Sequence, residues 1–122
     1  MTQLEAVKAF KVLMSIGQEK IPVGTAYKLF CQKRALQPVF DFQLEQERSI
    51  IERYNAAADE RGNISPKNPA DKPAMQSDLK ELNQMECKID IKPIEIEVPE
   101  GLKITVNDVE ALEPVVKFVF KE

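Results

Sequence analysis

The period of the apolar residues changes once along this 122-residue chain, near residue 86, and that change restricts the fold more than any other feature. Before it, apolar side chains return every three or four residues, as a helix buried on one side requires. After it they alternate, as a half-buried strand requires. The expected fold class is therefore α+β: a helical N-terminal half of three helices, one of them long, then a short helix and a small, mainly antiparallel β-sheet. A chain of this length is expected to form a single domain over 1–122 and to bury about two thirds of its unfolded surface.

The first helix is expected over 3–16, where Leu4, Val7, Phe10, Leu13 and Met14 form a stripe. Thr2 and Glu5 have capping-box spacing, and Gly17 suits a left-handed stop. A second helix over 23–34 would bury Val23, Ala26, Tyr27, Phe30 and Cys31, and Gln37-Pro38 would separate it from a long third helix over 38–60. The seam of that third helix reads Phe40, Leu44, Glu47, Ile51, Tyr54 and Ala58, with Glu47 at the margin of a helix–helix contact. Residues 59–73, "DERGNISPKNPADKP", hold Gly62 and three prolines and are expected to be an exposed loop or flexible linker. A short helix over 74–85 follows, with Met75, Leu79 and Leu82 on one side.

In "ECKIDIKPIEIEVPEGLKITVND", residues 86–108, the alternation changes step at Lys92-Pro93. Cys87, Ile89 and Ile91 keep one parity; Ile94, Ile96 and Val98 keep the other. A one-residue slip turns a strand inside out unless a bend absorbs it, and proline suits such a break because it has no N–H to lose. Ile91 and Ile94 should then both point inward. "PEG" at 99–101 has the length of a hairpin loop that would return Leu102, Ile104 and Val106 opposite Val98, Ile96 and Ile94. Asn107 and Glu110 have capping-box spacing for a short helical turn ended by Pro114, and "VVKFVFKE" reads as a last strand with Val116, Phe118 and Phe120 inward.

The chain has no histidine, which removes imidazole acid–base chemistry and every His-containing metal set or triad. Its four glycines, at 17, 24, 62 and 101, spell neither a P-loop nor a dinucleotide fingerprint. "DERGN" at 59–63 lacks the alternating acidic ligands of a calcium loop. No catalytic, cofactor-binding or metal residue is therefore assigned, and the chain is read as not an enzyme. Cys31 and Cys87 have no metal spacing and lie on apolar stripes, so both are expected to be buried free thiols in a reducing compartment. No secretory signal and no apolar run of about 20 residues is visible, which points to the cytoplasm and away from membranes.

Charge is uneven. Residues 1–34 carry six cations against two carboxylates, whereas residues 95–122 carry three cations against seven. A possible basic contact face comprises Lys8, Lys11, Lys28, Lys33 and Arg34; a possible acidic docking face comprises Glu95, Glu97 and Glu100. Nucleic-acid binding by the basic helices would want interleaved aromatics, but Phe10, Tyr27 and Phe30 belong to apolar stripes, and the isoelectric point is about 5.2.

"IPVGTAYKL" (21–29), "ERYNAAADERGNI" (52–64), "LKELNQMECKIDIKPIEI" (79–96) and "ITVNDVEALEP" (104–114) together give a chain that resembles a family of small uncharacterised proteins encoded by phages and prophages of Gram-positive bacteria. The resemblance implies a phage context, in the host cytoplasm, and no catalytic residue. The reading that follows is a non-enzymatic protein acting through contact with a phage or host protein, such as an assembly, tail or accessory factor. The alternatives are a nucleic-acid-associated regulator using the basic helices and an acidic inhibitor of a host defence nuclease.

Overall fold

A computed structural model describes residues 1–17, 20–98 and 102–119. Two helices, α1 (Gln3–Ile16) and α2 (Val23–Arg53), are followed by a small hairpin of β1 (Ala57–Ala58) and β2 (Ile64–Ser65), a 3-10 turn at Pro69–Asp71, and α3 (Lys72–Gln84). The chain then runs through β3 (Ile94–Glu97), α4 (Val106–Leu112) and β4 (Val116–Val119). The class is mixed helix and sheet, as the change of period requires.

Helix α1 starts as its sequence dictates. Thr2 Oγ1 accepts from the Glu5 N–H at 3.2 Å, and the Thr2 N–H donates to Glu5 Oε1 at 3.1 Å. Ala6, Ala9, Phe10, Leu13 and Ile16 are buried along its inner face. Gly17 closes the helix in a right-handed conformation, φ −60°, instead of the left-handed one expected.

The expected second and third helices are one. Leu29, Gln32, Leu36, Gln43 and Ile50 are buried in a single phase that crosses Pro38 without interruption. Proline inside a helix costs about 3 kcal/mol through a lost hydrogen bond and a steric clash. Here Pro38 is exposed, and the carbonyl it orphans lies on the solvated side, while the buried seam keeps both halves in line. The seam is also rotated from the expected one: Leu44 is exposed, and Phe40, Glu47, Ile51 and Tyr54 are half-buried. Two glutamines occupy seam positions that a hydropathy pattern does not count. The helix ends at Arg53, well before residue 60, because Asn55 takes the left-handed conformation at φ +48°, which asparagine tolerates.

Residues 57–71 form the hairpin and the 3-10 turn, where the expectation is helix through residue 60 and loop over 59–73. Asp59 Oδ1 accepts from the N–H groups of Arg61 and Asn63, and Gly62 supplies the φ of +80° at the tip. Lys72 and Pro73 already belong to α3.

The C-terminal sheet differs most from expectation. β3 pairs with β4, and the pair is parallel, Ile94 opposite Val116 through Glu97 opposite Val119. Among the described residues, antiparallel pairing is confined to the two-residue β1–β2 pair and an isolated bridge between Thr2 and Glu86. Residues 102–105 are not a strand, although Leu102 and Ile104 pack on the core. Thr105 instead caps α4: its Oγ1 accepts from the Asp108 N–H and its N–H donates to Asp108 Oδ2, a capping box two residues ahead of the Asn107–Glu110 pair. Once helix begins at Val106, the chain enters a crossover, and the strand that leaves α4 meets β3 in parallel. The proposed "PEG" turn and Phe120 lie outside the described residues.

Residues 87–91 are not a strand either, but their alternation in burial is real. Cys87, Ile89 and Ile91 are half-buried against the core, Lys88 and Asp90 are exposed, and Ile94 packs on the same core as Ile91. Lys92-Pro93 thus restores the inward parity.

The main core gathers α1, Leu29 and Leu36 of α2, Ile96, Leu112, Val115 and Val116. Phe10 and Phe40 stack inside it with ring centroids 4.3 Å apart. A second cluster of Ile50, Met75 and Leu82 joins the far end of α2 to α3. There Asp78 Oδ2 accepts from Arg53 Nη1 at 3.0 Å and from the Tyr54 hydroxyl at 2.5 Å.

Candidate functional site

A helix packed on one side normally turns its polar residues outward. The N-terminal turns of α2 carry large apolar residues on both sides. Leu29, Gln32 and Leu36 face the core, while Val23, Tyr27 and Phe30 face water, 86%, 66% and 53% exposed. Steps of four and three residues set the three on one side of the helix. Cys31, one turn beyond Tyr27, is exposed with them, as is Arg34, two turns beyond it. The Tyr27 and Phe30 rings lie 6.5 Å apart, tilted by 30°. Beside Phe30 a groove of about 270 Å³ opens between α1 and α2, floored by Leu13, Ile16, Ala26 and Leu29 and edged by Ile21 and Lys33.

These residues were expected inside. The stripe Val23, Tyr27, Phe30 and Cys31 is a real periodic face, but it is the outer one, because Leu29, Gln32 and Leu36 contact α1 and the sheet. Cys31 is therefore an exposed thiol and not a buried one. Cys87 is half-buried, and burial pushes its thiol above the usual range.

Gln32 fixes the orientation of this part of α2. Its Nε2 donates to the Lys92 carbonyl at 2.9 Å and to the Val115 carbonyl at 2.7 Å, so one side chain holds the segments leading into β3 and β4. With that face fixed inward, the opposite face has no element of the described chain over it.

The residues of the expected basic face lie in four places. Lys8 and Lys11 project from α1 into an open groove of about 760 Å³ against α4, whose walls carry Glu5, Asp108, Glu110 and Glu113. Lys28 reaches β3, its Nζ 3.5 Å from the Glu95 carbonyl. The Lys33 ammonium lies 6.0 Å from the centre of the Phe10 ring. Arg34 is exposed on the Tyr27 side of α2. On the acidic side, Glu95 and Glu97 share the exposed face of β3, where Lys117 Nζ stands 3.7 Å from Glu95 Oε1. Glu100 lies outside the described residues.

The perturbed acids and bases have structural causes remote from the α2 face. The N–H of Thr2, and then its hydroxyl, holds the Glu5 carboxyl below the usual range. The Asp78 carboxylate, followed by burial, raises the Tyr54 hydroxyl. Glu86, which accepts from the Met1 amino group at 3.0 Å, raises that amine. Among the described residues no three metal-ligating side chains come together, and no helix is long and apolar enough to cross a membrane. Comparison of the chain with protein-family models, with curated proteins and with solved structures finds no match.

Proposed function

We propose that this is a non-enzymatic protein that works through protein–protein contact, and that the outer face of α2 is the surface it uses. The observation that supports this reading is the exposure of Val23, Tyr27 and Phe30 side by side on a helix whose other side is in the core. Adjoining large apolar side chains in water mark contact surfaces, and aromatic residues are enriched there. The phage context comes from the resemblance, whose "IPVGTAYKL" stretch includes Val23 and Tyr27. In that setting the protein is an assembly or accessory factor in the host cytoplasm.

The test uses Cys31 as an anchor for a photo-activated crosslinker. One defined adduct should form in extracts of phage-bearing cells and should disappear in Tyr27→Ser/Phe30→Ser. Because both residues are exposed, that variant should unfold within about 0.5 kcal/mol of the parent. An adduct pattern unchanged by the double substitution would rule out this face as the contact.

A second reading is favoured by the same exposure. Arg34 is exposed on the same side of α2 as Tyr27 and Phe30, and aromatic side chains beside a cation are how single-stranded nucleic acid is held. Binding to oligo(dT) that weakens steeply with salt would support it, since released counterions set that slope.

A further inference from the structure

Resting on the protein-contact reading, we infer that the element docking on α2 is an acidic amphipathic helix of another protein. Charge is the first argument. Residues 20–40 contain Lys20, Lys28, Lys33 and Arg34 and not one carboxylate, and Arg34 is exposed on the Tyr27 side, so the helix turns that carry Val23, Tyr27 and Phe30 bear net positive charge. A partner helix with apolar anchors flanked by Asp or Glu meets both the apolar stripe and the field around it.

Shape is the second. Val23, Tyr27 and Phe30 recur at helical spacing and form a ridge, and the groove beside Phe30 accepts a side chain from a helix lying alongside. A phosphate backbone needs a row of outward cations, whereas Lys28 is turned to the Glu95 carbonyl and Lys33 to the Phe10 ring. A second copy docking through the same stripe would set this cation-only segment against itself, because an isologous contact repeats one patch on both sides.

The experiment follows the rate of Cys31 alkylation on the folded protein, together with fluorescence anisotropy of three labelled helical peptides. All share one leucine seam at i, i+3 and i+7; their outer positions are Glu, Gln or Lys. The Glu peptide should bind at least about tenfold more tightly than the Lys peptide and slow Cys31 labelling about fivefold or more at saturation. Lys33→Glu/Arg34→Glu should abolish that preference, and Tyr27→Ser/Phe30→Ser should weaken all three peptides. Equal affinities that still depend on Tyr27 and Phe30 would overturn the acidic partner and leave the contact face standing. No peptide binding, or binding insensitive to Tyr27 and Phe30, would overturn both. Protection of Cys31 by oligo(dT), by vesicles with anionic lipid, or by self-association, in place of the Glu peptide, would also overturn the inference.

Discussion

Replacing Gln32 by methionine tests the contact that orients α2. Methionine keeps the length and bulk of glutamine and removes both donors, so packing changes little while the Lys92 carbonyl loses its side-chain partner and the Val115 carbonyl is left with the Ile94 N–H at 3.1 Å. The Val115 contact is buried and the Lys92 contact partly so. The Val115 carbonyl keeps the Ile94 N–H and loses one hydrogen bond of about 0.5–1.5 kcal/mol, and the orphaned Lys92 carbonyl, nearer water, adds about 1 kcal/mol. The two together give about 1.5–2.5 kcal/mol. At about 3–5 °C per kcal/mol for a chain of this size, the midpoint should fall by roughly 5–12 °C. Urea unfolding gives the free energy directly, and an unchanged m-value would show that the folded state is as compact as before. Gln37→Met is the control, since Gln37 makes only an exposed bond to Asp41 and should move stability by less than about 0.5 kcal/mol. A loss from Gln32→Met no larger than the control's would mean that the two carbonyls do not depend on this amide.

Thr2→Ala should cost about 0.5–2 kcal/mol by removing the α1 cap. The Glu5 carboxyl is depressed in the folded state, chiefly by the Thr2 N–H that Thr2→Ala keeps, so its stabilisation is present above the unfolded value and lost as pH falls through the folded one; the gap between parent and Glu5→Ala, measured by thermal unfolding, should narrow in acid. Ile91→Ala and Ile94→Ala should each cost about 1–3 kcal/mol, less than full burial would give, because both are half-buried on the same core; one large and one negligible loss would contradict the parity shift at Pro93. Native alkylation followed by mass spectrometry should label Cys31 rapidly and Cys87 slowly, as exposure and the raised Cys87 thiol require. Slow labelling of both would mean that the α2 face is covered.

Local signals that are satisfied locally could be read from the sequence. The Thr2–Glu5 box, the Met75–Leu82 stripe of α3 and the parity change at Lys92-Pro93 depend on neighbours within a few residues, and all recur in the structure. Decisions made over distance could not. Pro38 looks like a boundary until one sees that Leu36 and Gln43 are held in one line from outside the helix. The strand at 94–97 had a plausible partner at 102–106, but Thr105 has two uses, as a strand residue or as a cap. The cap prevails because Asp108 completes it and β4 can then take the open side of β3. The stripe at 23–31 shows the same division. Periodicity states that Val23, Tyr27 and Phe30 share a side; it cannot state whether the chain itself or another molecule covers that side.

The main core is also a schedule. Phe10 and Leu13, made early, share their cluster with Ile96, Leu112, Val115 and Val116, made last. At synthesis rates of about 5–20 residues per second, roughly 100 residues and 5–20 s separate Phe10 from Leu112. During that interval α1 has α2 and α3 to lie against, and the part of its apolar side that meets α4 and the C-terminal sheet stays open. Contacts this distant in sequence also slow folding, because loop closure precedes any gain from them. The parallel β3–β4 pair is therefore the closing step that commits the helical half to its native packing, and a ribosome-bound chain stalled before residue 112 should remain open to protease along α1.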